Sequence, residues 1–511
     1  MANEVELKLL IAPDDMERLL HHPVLQTIVR RELPPQQLLS VYYDTPALDL
    51  KKRRIALRLR RTGDRWIQTV KAEGTVAGGL HERPEWECET TEDTLDFESI
   101  PDPTVREFFA DEKIHWALRP VFVTEFTRTS SVLDFPGGDV VELSIDQGEI
   151  RAGDRQTPIH EVELELKAGH PGRLFTFALE LQESIPLKLE NVSKAERGYR
   201  LVTAAALIPV KAKILDLTEN VSASDAFVQI LRGELAHLQA NEAGALQSDD
   251  PEFVHQMRVA LRRMRSALSL FSDLIGGEGK EPIRHELRWL TRELDAARNW
   301  DVFVTHTLSM ILDDFSGEQN IDQLKTKSED ARQQCRLRAR ESVASSRYQK
   351  LLLQIGAWLC ARPWAERLSQ QGGVAADEPI AEFSARVLQR RHKRLKKRGK
   401  HLAALSPQER HQVRITAKKL RYAAEFFSSL YSQKRVRRYI AALANVQEVL
   451  GTLNDAATAE QLVRELAQGN NGTHVHEGVN LVLGWVRGAA HVRLEQLDRV
   501  WKDLAKQKVF W

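Results

Sequence analysis

At 511 residues, 42% apolar and 28% charged, the chain is too long for a single core and has the composition of a multidomain globular protein, not a disordered or fibrous one. No run of about 18 apolar residues is available to span a bilayer, and Glu4 and Glu6 stand where a signal peptide would be basic and then apolar. The net charge of +1 hides a division: residues 1–200 hold 26 Lys and Arg against 36 Asp and Glu (net −10), which leaves 73 − 26 = 47 against 72 − 36 = 36 (net +11) for the remainder.

The first predicted element is the opening EVELKLLI. It sets Glu4, Glu6 and Lys8 on one face of a strand and Val5, Leu7 and Leu9 on the other, because successive strand side chains point to opposite sides. LLSVYYDT, ALRLRR, WIQTVKA, EWECET, PVFVTEFTRTSSVL, VVELSIDQG and HEVELELK follow as further strands. Gly78-Gly79, Pro136-Gly137-Gly138 and Asp146-Gln147-Gly148 are among the turns that divide them, and helical periods interrupt at 13–30, 102–111 and 171–184. IPVKAKILDLTENVSASD then reads as a linker ending in a helix cap. The domain expectation is therefore 1–205, a linker over 206–222, and a helical domain over 223–511.

The helical part contains a duplication. HQMRVALRRMRSAL begins at His255 and HQVRITAKKLRYAA at His411, an offset of 411 − 255 = 156, and LDAARNWD and LGTLNDAA keep that offset from Leu294 and Leu450. The motif copies span 255–299 and 411–455. His255, Arg258, Arg262 and Arg265 fall on one helix face beside an apolar stripe, and His411, Arg414, Lys418 and Arg421 repeat the pattern. Two such faces in register predict a polyanion groove. The run RRHKRLKKRGK at 390–400 reads as a solvated helix end that also attracts polyanions. No aromatic platform accompanies the charge, so nucleic acid is not an expected partner.

In the first part, charged strand faces recur: Arg58 with Arg60, Lys71, Arg83 with Glu85 and Glu87, Arg128, Asp146, and Glu161, Glu163 and Glu165. This repetition predicts a sheet curled with charge inside and an apolar outside under helices. A small closed barrel normally fills its middle with apolar side chains, so a charged middle is a binding site. The bland alternative is a set of salt-bridge ladders across an exposed sheet. Arg and Lys neutralise phosphoryl oxygens. Carboxylates beside them call for hard divalent cations, which bridge to phosphates and stabilise a transferring phosphoryl group.

At Glu4-x-Glu6-x-Lys8, Tyr42-Tyr43-Asp44-Thr45, Arg58-x-Arg60, Lys71, Arg83, Glu85, Arg128, Asp146, the second acidic strand and Ser193-Lys194, residues 3–200 resemble the CYTH family, the triphosphate tunnel metalloenzymes. The resemblance implies an eight-stranded antiparallel tunnel holding a triphosphate with a divalent metal, Mg²⁺ before Mn²⁺. It implies phosphate binding by Lys8, Arg58, Arg60, Lys71, Arg83, Arg119, Arg128 and Lys194. It further implies metal or water ligation by Glu4, Glu6, Glu85, Asp146, Glu161 and Glu163, with Lys8, Glu4 and Glu6 as the catalytic set. Glu161/Glu163 and Glu163/Glu165 remain alternative registers for the acidic strand.

At the two His-x-x-Arg helices and Asn454-Asp455, residues 220–508 resemble the CHAD family. Asn299 departs from that pattern where Asp is commoner, with Asp301 following. The resemblance implies paired helical bundles around a basic channel that binds inorganic polyphosphate through His255, Arg258, Arg262, Arg265, His411, Arg414, Lys418 and Arg421. The expected fold class is multidomain α+β: an N-terminal eight-stranded antiparallel β-tunnel with covering helices, then an all-α domain of two pseudo-symmetric bundles.

The expected function is metal-dependent hydrolysis of inorganic triphosphate to pyrophosphate and phosphate. The alternatives are a polyphosphate-binding targeting protein with a vestigial tunnel, or an enzyme for an organic triphosphate (thiamine triphosphatase or class IV adenylate cyclase). Cys88, Cys335 and Cys360 make neither a disulfide framework nor a metal-ligand spacing, so a cytoplasmic, reducing setting is expected, with no membrane partner.

Overall fold

A computed structural model describes residues 3–72, 74–90, 94–276, 279–314, 319–365, 378–468 and 473–511. It divides into two compact units, one of Met1–Ile208 with Ser346–Ala361, the other of Pro209–Ser345 with Arg362–Trp511.

The strands of the first unit are β1 (Asn3–Ile11), β2 (Val29–Glu32), β3 (Gln36–Asp44), β4 (Ala56–Thr62), β5 (Arg65–Lys71), β6 (Thr75–Ala77), β7 (Leu80–Thr90), β8 (Arg119–Asp134), β9 (Val140–Ala152), β10 (Arg155–Ala168) and β11 (Leu187–Leu189). They run β1-β10-β9-β8-β3-β4-β5-β7, and β7 returns to pair with β1, which closes an eight-stranded antiparallel barrel. On that seam β7 pairs with residues 3–7 of β1, and β11 takes over at residues 9–11.

Alternation along the strands gives the barrel two surfaces. Leu7, Leu9, Leu143, Val162 and Leu164 are fully or almost fully buried on the outer one. The helix Gly172–Leu181, which buries Leu174, Phe175, Phe177, Ala178 and Leu181, packs against β1 and β10. Over it lies the helix Ser346–Ala361, buried on nearly every side. A Cβ at Gly356 would stand 2.2 Å from the Phe175 ring, so glycine is what lets the two helices approach. Gln349 Oε1 accepts the Leu189 N–H at 3.0 Å, which ties this helix to the barrel seam.

Inside, one region is apolar. Leu38, Tyr42, Phe122, Phe126, Ile150 and Ile159 cluster with Tyr199 from the helix Lys194–Thr203. Tyr42 stacks on Phe122 at 4.5 Å, and the Tyr199 hydroxyl donates to Asp44 at 2.9 Å. The rest of the interior is charged.

The second unit is all helical. Pro251–Leu270 packs between Ala223–Ala240 and Lys280–Val302, and Pro407–Phe426 packs between Ile380–Arg398 and Gln433–Gln468. Both motif helices open on a cap followed by proline, whose missing N–H costs nothing at the first turn. Asp250 caps the first, and Ser406 with Glu409 forms a capping box on the second. The fold is thus the class expected from sequence, a closed β-tunnel followed by helical bundles. Among the described residues, no helix is long and apolar enough to cross a membrane.

Candidate active site and polyanion cavity

The barrel encloses a cavity of about 230 Å³. Glu4, Glu6 and Lys8 reach it from β1, Arg58 and Arg60 from β4, Lys71 from β5, Arg83 and Glu85 from β7, Arg128 from β8, Glu163 and Glu165 from β10, and Lys194 from the helix that follows β11. Three residues of the sequence-derived set are placed otherwise. Asp146 and Glu161 are fully buried behind the lining. Arg119 is exposed: the β3–β8 register slips between Tyr42 and Tyr43, so Arg119 pairs with Asp44 beyond the irregularity and does not reach the cavity. In the acidic strand Glu163 lies opposite Lys8, Glu165 opposite Glu6, and Glu161 opposite Leu10, so the pair that lines the cavity is Glu163/Glu165.

The charges are interleaved. Lys8 Nζ donates to Glu6 at 2.7 Å and also to Glu163, while Arg83 donates to Glu6 at 2.9 Å. Lys71 Nζ lies 2.7 Å from Glu4 and 2.9 Å from Glu85. Arg128 forks onto Asp146 with two bonds of 2.7 Å and also reaches Glu163. Burial opposes ionisation of Glu6 and Glu163, but Lys8 overrides it at Glu6, and Lys194, Lys8 and Arg128 override it at Glu163. Both carboxyls are held below the ordinary range, Glu163 well below. Burial and the charges of Arg58 and Arg128 bring Arg60 down to about 10, the signature of a cation crowded by cations. Burial raises the Tyr42 hydroxyl, yet Arg58 and Arg60 leave it below the usual phenol value.

A divalent metal fits one group of these carboxylates better than another. Asp146, Glu161 and Glu163 bring oxygens within 4.8 Å of one another, but the Lys194 ammonium stands among them, 2.8 Å from Asp146, 2.9 Å from Glu163 and bonded to Glu161. Arg197 also pairs with Glu161. That triad already has its cation. By contrast the Glu165 carboxyl is pushed up, by burial first and by the neighbouring Glu4 and Glu142 as well, although Lys167 opposes this. A hard cation relieves such crowding, and Glu165 faces the cavity together with Glu4, Glu6, Glu85 and Glu163, the carboxylates within reach of an ion held there.

The second unit holds a cavity of about 730 Å³ between the two motif copies. His255, Arg258, Arg262 and Arg265 line it together with His411, Arg414 and Lys418. Arg421 is not in that lining; it donates to Glu425 at 2.7 Å. Arg284, Arg288, Arg298 and Lys419 line it as well. The first three sit four and ten residues apart on Lys280–Val302, a one-face spacing that was readable. The duplication misleads for Lys419, because its counterpart Arg263 is buried against Glu234 and Glu425.

Polar atoms in this cavity are left over. Among the described residues, His255 Nδ1, Arg262 Nε and Arg414 Nε are buried and lack a hydrogen-bond partner. Burial, then Arg414, Arg262 and Arg258, bring the Lys418 amine down to about 7. Burial and Arg298 hold His255 at about 4, hence neutral near pH 7. Cations crowded together, with unpaired donors among them, suit an anion, although Asp295, paired with Arg258, and Asp455 share the lining.

Comparison with known proteins agrees with this division. Residues 2–199 match the family model described as the CYTH domain, and residues 229–464 match the CHAD domain. The chain is similar to the inorganic triphosphatase of Haemophilus influenzae, 34% identical over 202 residues, which is 39% of this chain and 55% of that protein. It therefore spans about half the length of that relative. It is also similar to the solved CHAD domain from the plant Ricinus communis, with 34% identity and a TM-score of 0.53 over 60% of this chain and 99% of that one.

Proposed function

The chain carries a CYTH domain followed by a CHAD domain, and from that premise we propose that its tunnel hydrolyses inorganic triphosphate to pyrophosphate and phosphate, with Mg²⁺ in preference to Mn²⁺, in the cytoplasm. The helical unit holds inorganic polyphosphate. One observation carries the reading: eight cations, Lys8, Arg58, Arg60, Lys71, Arg83, Arg128, Lys167 and Lys194, line a single cavity together with six carboxylates, Glu4, Glu6, Glu85, Glu87, Glu163 and Glu165. Among the described residues of that lining, Tyr42 is the sole aromatic, which favours a substrate without a nucleobase or thiazolium ring to stack.

Phosphoryl transfer asks a protein mainly for positioning and charge stabilisation. Here Arg58, Arg60 and Arg83 offer guanidinium forks for phosphate oxygens, and Lys8 and Lys71 offer point charges. Lys8 stays protonated because Glu163 and Glu6 raise its pKa against the effect of burial, so it enters the reaction as a cation. Arg60, which crowding by Arg58 and Arg128 disfavours, gains most from an incoming anion. Glu4, Glu6, Glu85, Glu163 and Glu165 would hold the metal, which when bound neutralises phosphoryl charge and polarises a water.

The test is phosphate release from tripolyphosphate with Mg²⁺, against the same reaction in chelator. Metal-dependent release that is faster than from ATP or thiamine triphosphate supports the reading. Faster release from an organic triphosphate moves the activity to that substrate. Polyphosphate binding without any release would make the tunnel vestigial and the chain a targeting protein.

A further inference from the structure

The basic run at 390–398 continues the ordered helix Ile380–Arg398. Val387, Leu388 and Leu395 are buried beneath it, and Arg398 donates to Thr416 Oγ1 at 3.0 Å, which fixes this end to the helix Pro407–Phe426. Arg391, Arg394 and Arg398, spaced by three and four, share one face. That face stands beside Lys419, whose amine is lowered by burial first and then by Arg391, Arg394, Arg265 and Arg398. Lys419 and Arg265 also line the polyanion cavity, next to Arg284 and Arg288. One cationic surface therefore begins in the cavity and ends on the helix.

This surface differs from ordinary solvated charge, in which carboxylates are interspersed. Arg386 and Arg390 of the same helix follow the ordinary pattern, paired with Glu378 at 2.6 Å and Asp273 at 2.9 Å. Among the described residues, Arg391, Arg394 and Lys419 form no salt bridge, while Arg265, at the cavity end, has Asp295 nearby. The duplication is also broken here. The offset of 156 sets Ile440 and Ala444 where the first copy has Arg284 and Arg288, and Arg421, the counterpart of Arg265, is taken by Glu425. The cationic rim thus belongs to one side of a cavity that is otherwise pseudo-symmetric.

We propose that a phosphate chain too long for the cavity leaves it between Arg265 and Lys419 and continues along Arg391, Arg394 and Arg398, so that the helical unit binds long inorganic polyphosphate over an extended track and discriminates by chain length. This rests on the polyanion reading of the cavity. The continuity of the track with that cavity, and the absence of a stacking ring among its residues, favour polyphosphate over nucleic acid.

The experiment uses the full chain, with long-chain polyphosphate, tripolyphosphate and single-stranded DNA as probes, and compares wild type with R391Q/R394Q/R398Q and R391K/R394K/R398K. The Gln variant is expected to bind long polyphosphate roughly tenfold or more weakly, and its log–log salt slope to fall by about 2, at roughly 0.7 per lost phosphate contact. Tripolyphosphate affinity should be unchanged, and the Lys variant should retain most of the long-chain affinity. Unchanged long-chain affinity in the Gln variant would overturn the proposal, as would an equal loss for both chain lengths. Loss confined to DNA would make the track a nucleic-acid surface and overturn it as well. Failure of the wild type to bind any polyphosphate would instead sink the cavity reading itself. Should the triple variant melt early, R394Q/R398Q, which changes two exposed residues, carries the same test with a smaller loss.

Discussion

Lys194 Nζ stands 2.8 Å from Asp146 Oδ2, both side chains buried, with Glu161 and Glu163 completing the shell around the ammonium. The lysine occupies the position a metal would take in an acidic triad. Lys194→Gln leaves buried carboxylates short of a counter-charge, and breaking such a group costs about 3–5 kcal/mol. The variant should unfold at lower temperature in chelator and recover part of the loss on adding Mn²⁺, by mass action on the folded state. Wild-type melting in chelator would show that Arg128, Arg197 and Lys8 suffice.

Glu6 accepts from Lys8 and Arg83 and faces the cavity. Glu6→Gln keeps the shape and removes one charge from the set that suits a metal. Turnover of triphosphate should fall about a hundredfold or more, the scale of a lost electrostatic group in a preorganised site. Lys8 retains Glu163 and Arg83 retains Glu4, so the fold should lose only about 1–3 kcal/mol. Steady-state kinetics beside urea unfolding separates the two effects. Normal turnover would make Glu6 a structural ion-pair partner.

Lys418, at about 7 in the free protein, is neutral above that pH and charged below it. A polyanion favours the charged form and raises the pKa, so binding takes up a proton between the free and bound values. Affinity for polyphosphate should therefore be flat below about pH 7 and fall as pH rises above it. Titrations between pH 6 and 9 check this. Lys418→Arg should flatten the profile, and an unchanged slope in that variant would remove Lys418 as its source.

Gly356 gives the helix Ser346–Ala361 its seat on Phe175. Gly356→Ala drives a methyl into that ring and should cost about 1–3 kcal/mol as overpacking, read as a lower urea midpoint for the tunnel unit. The same contact predicts that a fragment ending at residue 205 is poorly soluble, and that a peptide of residues 346–361 raises its melting temperature. A fragment whose stability ignores the peptide would show that the helix is only resting on the barrel.

The charged interior was legible because strand period two leaves a single phase: once Glu4, Glu6 and Lys8 share a face, so must Arg58 with Arg60 and Glu161 with Glu163 and Glu165. Arg119 escaped because a register slip between neighbouring strands leaves no mark on the alternation of either one. Arg421 escaped because the duplication argument outweighed a plain i,i+4 partner, Glu425, on the same helix. That Asp146 and Glu161 are taken by Lys194 was beyond reach, since it depends on where the Lys194 side chain ends. The partner of Ser346–Ala361 was equally hidden. A helix buried on nearly every side has no single apolar stripe to declare its neighbour.

That helix also sets a schedule for synthesis. The barrel sequence is finished by residue 208, but the segment that covers Phe175 begins at 346, and 345 − 208 = 137 residues must be made between them. At roughly 5–20 residues per second, the outer side of the helix Gly172–Leu181 waits bare for roughly 7–27 s on the ribosome. For that interval a nascent chain presents Phe175 and an unclaimed Leu189 amide to whatever is nearby. Slow translation or scarce chaperones should thus lower the yield of this protein through its first half, even though the residues that complete it are encoded in the second.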